Sequence, residues 1–260
     1  MTTKDDAIQI HMTTSEIGRI TLNQPGRRNA LTAQMWDDLT VALATAAADP
    51  DLKVLIITGA GEHFAAGADI SEFSKLYATP DSSAVISQKI SVALDAIANF
   101  PRPTIAKIRG ACVGGGTGIA LACDLRFADG TSKFAITPGK LGLVYPFSDV
   151  RRLVQTVGQS AAKDILFSAR LIEAEEAKTM GLIDRLVDQY ALDQEVRDYA
   201  LSICGTSKSS VQITKQMFMA IAEGQRGETA STKKWFLDAF SSDDFREGYS
   251  AFLEKRKARF

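Results

Sequence analysis

Cysteine and histidine are scarce in this sequence, which limits the kinds of site that it can build. The chain of 260 residues has three cysteines, Cys112, Cys123 and Cys204, and two histidines. No two cysteines stand in a Cys-x-x-Cys spacing. An odd and sparse cysteine count argues against a disulfide framework and favours a reducing compartment such as the cytoplasm. The spacing of metal ligands is absent as well, so we expect no metal site.

Long apolar runs and an excess of charge of one sign are also missing. No hydrophobic segment approaches the roughly 20 residues that a membrane-spanning helix needs. Residues 1–6 are polar and charged and lack the apolar core of a signal peptide. The formal net charge is −1, so no strong positive field attracts nucleic acid. We therefore expect a cytoplasmic protein that binds neither membranes nor nucleic acid.

Hydrophobic periodicity predicts an α/β fold. Apolar residues at helical spacing over 33–48, directly after the capping residue Thr32, predict a helix. The apolar run at 53–58 predicts a buried strand, and similar runs alternate with helices through the first half of the chain. Helical patterns dominate afterwards. We therefore place a strand-and-helix core at 1–200 and a helical region at 201–260, with a soft boundary between them.

Two loops combine small residues with a position between a strand and a helix. They are 64–70, Phe-Ala-Ala-Gly-Ala-Asp-Ile, and 114–118, Gly-Gly-Gly-Thr-Gly. Small side chains let a ligand approach the backbone, and N–H groups at a helix N-terminus favour negative charge. Two converging N–H donors would stabilise charge on a thioester oxygen. Tight packing between helix and strand is the alternative explanation for either loop alone, and the second loop does not match the dinucleotide fingerprint GxGxxG.

Several ordered motifs carry a resemblance to a known family. In chain order they are 24–31 (Gln-Pro-Gly-Arg-Arg-Asn-Ala-Leu), 63–70, 108–116, 123–125, 134–142 and 252–256. Together they resemble the crotonase superfamily, whose members are enoyl-CoA hydratases, isomerases and related enzymes. The resemblance covers nearly the whole chain, and the ordered set is far more specific than any single motif.

The resemblance implies a crotonase-like spiral of ββα units with a C-terminal helical trimerisation region, assembled as a homotrimer or a dimer of trimers. It implies an acyl-CoA substrate, so that coenzyme A is part of the substrate and no separate cofactor is expected. The implied oxyanion donors are the N–H groups of Ala68 and Gly115. The residues that it places on coenzyme A are Arg27, Arg28, Ala65, Ala66, Ala68 and Ile70, with Phe252 and Lys255 from a neighbouring subunit.

This sequence departs from the hydratase pattern at both catalytic carboxylates. Hydratases of the family position water with two glutamates, and the matching positions here are Gly118 and Pro138. The stretch with Thr137, Pro138 and Tyr145 is similar to that of methylmalonyl-CoA decarboxylases in the same superfamily. Loss of carbon dioxide from a 2-carboxyacyl-CoA leaves an enolate that two N–H donors can hold without those glutamates. We therefore expect a decarboxylase-like lyase in which Tyr145 orients the substrate carboxylate.

Other functions stay open at this point. Decarboxylases of this type have a histidine at the position of Ala68 and a glutamate at that of Gly118, and Tyr145 is as easily a plain wall of the pocket. One alternative is an enoyl-CoA hydratase or isomerase with a substitute base, for which Asp149 is the nearest carboxylate. The other is a coenzyme A-binding scaffold that has lost catalysis.

Overall fold

A computed structural model describes residues 6–260; residues 1–5, on which part of the signal-peptide argument rests, lie outside the described part. Within that part the strands are β1 (Ile8–Met12), β2 (Ile17–Leu22), β3 (Val54–Gly59), β4 (Thr104–Ile108), β5 (Ala111–Val113), β6 (Leu125–Asp129), β7 (Lys133–Ala135), β8 (Ile172–Glu173) and β9 (Arg185–Val187). The α-helices are α1 (Ala33–Ala48), α2 (Phe73–Leu76), α3 (Pro80–Ala98), α4 (Gly115–Ala122), α5 (Phe147–Ser168), α6 (Ala174–Thr179), α7 (Leu192–Cys204), α8 (Lys208–Ala222), α9 (Ala230–Ala239) and α10 (Asp243–Leu253).

Two sheets of unequal size organise the first part of the chain. The larger one has six strands in the order β1-β2-β3-β4-β6-β9, and the smaller one has three in the order β5-β7-β8. Only the β1–β2 pair is antiparallel in the large sheet, whereas its other neighbours run parallel. Helices cover both faces of a parallel sheet, which explains why β3 is buried on both faces from Val54 to Thr58. The α/β prediction is confirmed.

Helix α1 matches its prediction in both its limits and its cap. The Thr32 side chain accepts a hydrogen bond from the N–H of Met35, which satisfies one of the unpaired donors of the first turn. One face of the helix is buried through Met35, Leu39 and Leu43. The strand predicted at 53–58 is β3, shifted by one residue.

The predicted boundary at residue 200 falls inside a continuous helix. Helix α7 runs through this position, and its buried residues Val196 and Ala200 form a second apolar cluster with Val54 and Phe127 of the large sheet. The start of a separate helical region therefore lies after Cys204, and the division into two regions otherwise stays a prediction. Among residues 6–260, no helix is both long and apolar enough to cross a membrane.

An ion pair between a buried lysine and a partly exposed carboxylate fastens α8 to the large sheet. Asp124, between α4 and β6, accepts hydrogen bonds from the N–H and the hydroxyl of Thr104 on β4, at 2.7 and 2.9 Å. The same carboxylate accepts a 2.7 Å hydrogen bond from Nζ of Lys215, which also donates to the carbonyl of Arg102. Lys215 is only 7% exposed, so these acceptors take the place of water around its ammonium group.

We expect Asp124→Ala to lower the free energy of unfolding by about 3 kcal/mol, because it leaves the Lys215 ammonium buried without its counter-charge. Chemical denaturation monitored by circular dichroism measures the loss. The control is Asp238→Ala, which removes an exposed pair with Lys234 on α9 and should cost about 0.5 kcal/mol or less. Equal losses in the two variants would contradict the anchoring role of Asp124.

Candidate active site

The two glycine loops of the sequence meet in space and are joined as a short parallel pair. The N–H of Ala65 donates to the carbonyl of Ala111, and the N–H of Val113 donates to the carbonyl of Ala65, both at 2.9 Å. Gly67 and Gly114 have φ angles of +100° and +53°, which favour glycine. A Cβ atom on Gly114 would lie 3.7 Å from the Cα of Gly67. The loops therefore approach each other backbone to backbone.

The N–H groups of Ala68 and Gly115 are unused at this meeting point. In residues 6–260, neither of them donates to any acceptor of the chain, whereas the adjacent N–H groups of Asp69 and Gly114 are bonded to Leu31 and Ala135. Gly115 opens helix α4, where the aligned peptide dipoles favour an anion. The loops that carry the two donors implied by the family resemblance are therefore in backbone contact, and neither N–H is taken by an acceptor of the described residues.

An ionised carboxylate stiffens the first loop directly after Ala68. Asp69 is buried and accepts hydrogen bonds from the N–H and the hydroxyl of Ser71, at 3.0 and 2.6 Å. Nη1 of Arg27 donates to its other oxygen at 2.6 Å. The hydrogen bonds from Ser71, followed by Arg27, lower the pKa of Asp69. Arg27, which the family resemblance places on coenzyme A, therefore also braces this loop.

Side chains that the sequence did not single out hold the second loop. The hydroxyl of Thr117 on α4 donates to the carbonyls of Cys112 and Ala135, at 2.7 and 3.1 Å, and so ties the helix to β5 and β7. Nδ1 of His63 accepts a 3.1 Å hydrogen bond from the N–H of Ala111. Because these partners are distant in sequence or belong to the backbone, no spacing rule finds them. Both side chains position the loop.

The buried Asn29 joins the segment 24–31 to the approach of the first loop. Its Nδ2 donates to the carbonyls of Ala60 and His63, at 2.9 and 2.7 Å, and its Oδ1 accepts from the N–H of Gln24. The residue is fully buried with φ at +55°, a conformation that asparagine tolerates better than most residues. The sequence indicated this structural role of Asn29 only through its position in the motif 24–31 of the family resemblance.

The position of the first missing carboxylate faces a buried hydroxyl. A Cβ atom on Gly118 would lie 3.4 Å from Cδ1 of Leu94 and 3.5 Å from Oη of Tyr145. The Tyr145 hydroxyl is buried and has no hydrogen-bond partner among the described residues. Burial raises the pKa of Tyr145, and the nearby charge of Asp149 adds to this effect. The hydroxyl therefore stays protonated and can donate to a ligand.

The first carboxylate that follows the position of the second missing glutamate along the chain is strongly constrained. Pro138 begins a single 3₁₀ turn and offers no titratable group. Asp149 is buried in the first turn of α5, where its Oδ1 accepts a 2.8 Å hydrogen bond from Arg152. Burial raises the pKa of Asp149, and Arg152 opposes the rise. Among residues 6–260, no group of three or more histidine, cysteine, aspartate or glutamate side chains could hold a metal ion.

The residues predicted to line the coenzyme A path within one subunit differ in their exposure to solvent. Ile70 and Arg28 are exposed, and Ala66 is half-buried with its N–H bonded to the carbonyl of Arg28. Ala65 is fully buried, and a Cβ atom on Gly116 would lie 2.9 Å from its methyl group. The Ala65 methyl group therefore faces α4 and packs there, and the place of Ala65 on the coenzyme A path stays a prediction.

Phe252 and Lys255 lie at the end of the chain, in and just after α10. Both side chains are exposed, Phe252 by 82%. Lys255 has φ at +52°, so the chain turns directly after the helix. An apolar ring of this exposure in a single chain is available to a second molecule. Their placement in the coenzyme A pocket of a neighbouring subunit stays a prediction.

Comparison with known proteins supports the resemblance over nearly the full length. A family model described as enoyl-CoA hydratase/isomerase matches residues 12–260. A crystal structure of a protein from Hyphomonas neptunium, described with the same family name, is 48% identical, has a TM-score of 0.95, and the match covers 98% of this chain and 97% of that one. The mitochondrial enoyl-CoA hydratase of Pongo abelii is 33% identical over 94% of this chain and 83% of its own length.

A relative with another reaction in its name is almost as similar. The peroxisomal Delta(3,5)-Delta(2,4)-dienoyl-CoA isomerase of Arabidopsis thaliana is 31% identical over 95% of this chain and 94% of its own length. Hydratase and isomerase names thus occur at nearly the same identity. Sequence likeness at this level leaves the reaction of the chain undecided.

Two glycines on α4 should respond in opposite ways to alanine. A Cβ atom on Gly116 would lie 2.6 Å from the carbonyl oxygen of Ala65, so Gly116→Ala should lower the free energy of unfolding by about 1–3 kcal/mol. Gly118 has room for a methyl group, so Gly118→Ala should raise it by about 0.5–1 kcal/mol through helix propensity. Denaturation of both variants beside the parent measures the difference. Equal effects would contradict the close packing of α4 on the first loop.

Proposed function

Because the chain belongs to the enoyl-CoA hydratase/isomerase family, which is the crotonase superfamily, we propose that it stabilises an acyl-CoA enolate with the N–H groups of Ala68 and Gly115. The proposed reaction is the decarboxylation of a 2-carboxyacyl-CoA. In support, both N–H groups lack an acceptor within the described chain and stand on loops in backbone contact. Coenzyme A enters as part of the substrate, and no separate cofactor is proposed.

The chemistry balances without an added acid or base until its last step. The bond between the α-carbon and the carboxylate breaks, carbon dioxide leaves, and the electron pair passes into the thioester to give the enolate oxygen. The two N–H donors bind that oxygen more strongly than the neutral carbonyl, and a difference of this kind lowers the barrier. The α-carbon then takes a proton from solvent.

The observation that carries the choice of reaction is the unpaired hydroxyl of Tyr145 opposite Gly118. A buried hydroxyl without a partner costs about 1–3 kcal/mol, so its persistence needs a reason such as a ligand that it binds. A substrate carboxylate is a suitable acceptor, and the hydrogen bond would hold it out of the thioester plane, where its bond to the α-carbon breaks most easily. Water addition, in contrast, needs a base that Gly118 and Pro138 cannot provide.

Hydration or isomerisation with Asp149 as the base is the alternative within the family. The names of relatives and the raised pKa of Asp149 favour it. Against it, Asp149 is 4% exposed and Arg152 holds one of its oxygens. A scaffold that only binds coenzyme A is the other alternative. Two unused N–H donors at one point speak against it, since a scaffold has no need of them.

We also propose that the chain forms a homotrimer or a dimer of trimers in the cytoplasm. An exposed aromatic row on α9 and α10 supports the assembly. Phe236, Phe240, Phe245 and Tyr249 follow one another with ring centroids 5.3, 5.6 and 6.2 Å apart. They are between 46% and 61% exposed, and clustered aromatic rings of this kind are enriched at protein interfaces.

Incubation with malonyl-CoA, methylmalonyl-CoA, crotonyl-CoA and a longer enoyl-CoA in heavy water tests the reaction by mass spectrometry. We expect loss of carbon dioxide with incorporation of one deuterium at the α-carbon. Tyr145→Phe should slow this reaction by about 10²-fold, because it removes one donor at the reacting group. Tyr190→Phe, at a tyrosine that is 86% exposed, is the matched control and should keep the parent rate.

Other results of the same incubation point to the alternatives. Rapid water addition to the enoyl thioesters, abolished by Asp149→Asn, would replace decarboxylation with hydration through a substitute base. Tight binding of every thioester without any turnover would favour the alternative of a scaffold that only binds coenzyme A. An unchanged decarboxylation rate in Tyr145→Phe would reduce Tyr145 to a wall of the pocket.

Light scattering coupled to gel filtration tests the assembly. We expect three or six times the chain mass of 28.1 kDa. Phe240→Glu places a charge in the aromatic row and should dissociate the assembly, because burying an unpaired charge is costly. Tyr190→Glu, outside the row, is the control and should keep the parent mass. A parent protein that elutes as a monomer at all concentrations would contradict the proposal.

A further inference from the structure

The space beyond Gly118 is closed by two side chains from different helical segments. Leu94 on α3 is 1% exposed, and Tyr145 precedes α5 with its hydroxyl buried. Both lie at contact distance from the point where Gly118 would carry a side chain, at 3.4 and 3.5 Å. Gly118 itself is buried on the first turns of α4, the helix that begins at Gly115. An acyl group that followed α4 from the Gly115 N–H would therefore meet Leu94 and Tyr145 at Gly118.

A single guanidinium joins the two halves of the wall. Arg152 donates through Nη2 to Asp95 at 2.5 Å and through Nη1 to Asp149 at 2.8 Å. Asp95 follows Leu94 directly on α3, and Asp149 lies four residues after Tyr145 on α5. The Arg152 and Asp149 side chains are 9% and 5% exposed, so solvent screens their contact weakly, whereas Asp95 is half exposed. The bridge holds the segments of Leu94 and Tyr145 at a fixed separation.

One end of this bridge carries a desolvation cost, because Asp149 is buried. Burial raises the pKa of Asp149 in spite of its contact with Arg152, which means that the fold disfavours its ionised form. Two carboxylates around one guanidinium also leave one negative charge in excess. Charged groups kept in such surroundings often serve a function in place of stability. Their position between the two wall segments indicates what that function is.

We propose that Leu94 and Tyr145, held together by the Asp95–Arg152–Asp149 bridge, close the acyl pocket just beyond Gly118, so that the site accepts short-chain acyl-CoA thioesters. The inference rests on the proposed acyl-CoA site and adds the size of its substrate. Leu94 sets the length limit by contact with the chain end. Asp95 and Arg152 are positioning residues, because they act only by holding the two segments that carry the wall.

Binding of saturated acyl-CoA thioesters measures the limit without any chemistry. Each methylene that a pocket buries tightens binding roughly fourfold. Isothermal titration calorimetry with acetyl-, butyryl-, hexanoyl- and octanoyl-CoA should show affinity that stops rising, or falls, beyond butyryl-CoA in the parent protein. In Leu94→Ala, the ratio of octanoyl-CoA to butyryl-CoA affinity should rise by at least about tenfold, because the space of two to three methylenes opens.

Two further variants separate the specificity of the wall from the stability of the fold. Leu94→Val removes less of the side chain and is the substitute if Leu94→Ala does not fold. It is expected to raise the same affinity ratio. Asp95→Asn loosens one arm of the bridge at a residue that is half exposed, and should also raise the ratio, by a smaller factor. Its control is Asp164→Asn, which loosens an exposed contact with Arg170 and should leave the ratio unchanged.

The outcomes distinguish this inference from the proposed function. Parent affinity that rises steadily through octanoyl-CoA would overturn the closed pocket while coenzyme A binding stands. A changed ratio in Leu94→Ala together with an unchanged ratio in Asp95→Asn would overturn the positioning role of the bridge. Absence of binding to all four thioesters would overturn the acyl-CoA site itself, and the length limit with it.

Discussion

The close approach of two backbone segments is the constraint on which the rest of the site depends. Gly67 and Gly114 both have positive φ angles, and a side chain on either would stand against the other loop. This approach brings into contact the loops that carry the N–H groups of Ala68 and Gly115, neither of which has an acceptor within the described residues. Much of the surrounding polar structure then maintains it, from Asp69 beneath the first loop to Thr117 beneath the second. If the two donors bind an oxyanion as proposed, loops held in this way need little reorganisation to do so.

A different kind of interaction controls the region beyond Gly118. There the walls come from α3 and the start of α5, elements that are separated by about fifty residues of chain and joined through Arg152. Buried ion pairs add little net stability, because desolvation offsets most of the attraction. Such pairs do fix the relative position of the groups they join, since a guanidinium donates hydrogen bonds to carboxylates in only a few orientations. The fold thus uses backbone contact at the proposed oxyanion site and a charged bridge at the proposed end of the acyl pocket.

The sequence predicted those features whose causes are local. Helix α1 follows from a capping threonine and a helical apolar period, and the two loops follow from small residues between a strand and a helix. The unpaired hydroxyl of Tyr145 and the bridge of Arg152 depend on contacts across 27 and 57 residues, for which no spacing rule exists. Ala65 shows the limit within a single motif. Its neighbour Ala68 is exposed while Ala65 packs on Gly116, and composition alone cannot separate the two orientations.

The absence of a side chain at Gly118 links the chemistry to the shape of the pocket. A carboxylate at this position would occupy the space toward Leu94 and Tyr145, and would meet the Tyr145 hydroxyl as its hydrogen-bond partner. With glycine there, the hydroxyl has no partner among the described residues, and in the proposed reaction it serves the substrate. The residue at position 118 does not alter the role proposed for the oxyanion donors, because an enolate forms by loss of a proton as well as by loss of carbon dioxide. Members of one family can therefore share these donors and differ in reaction through the groups that face position 118.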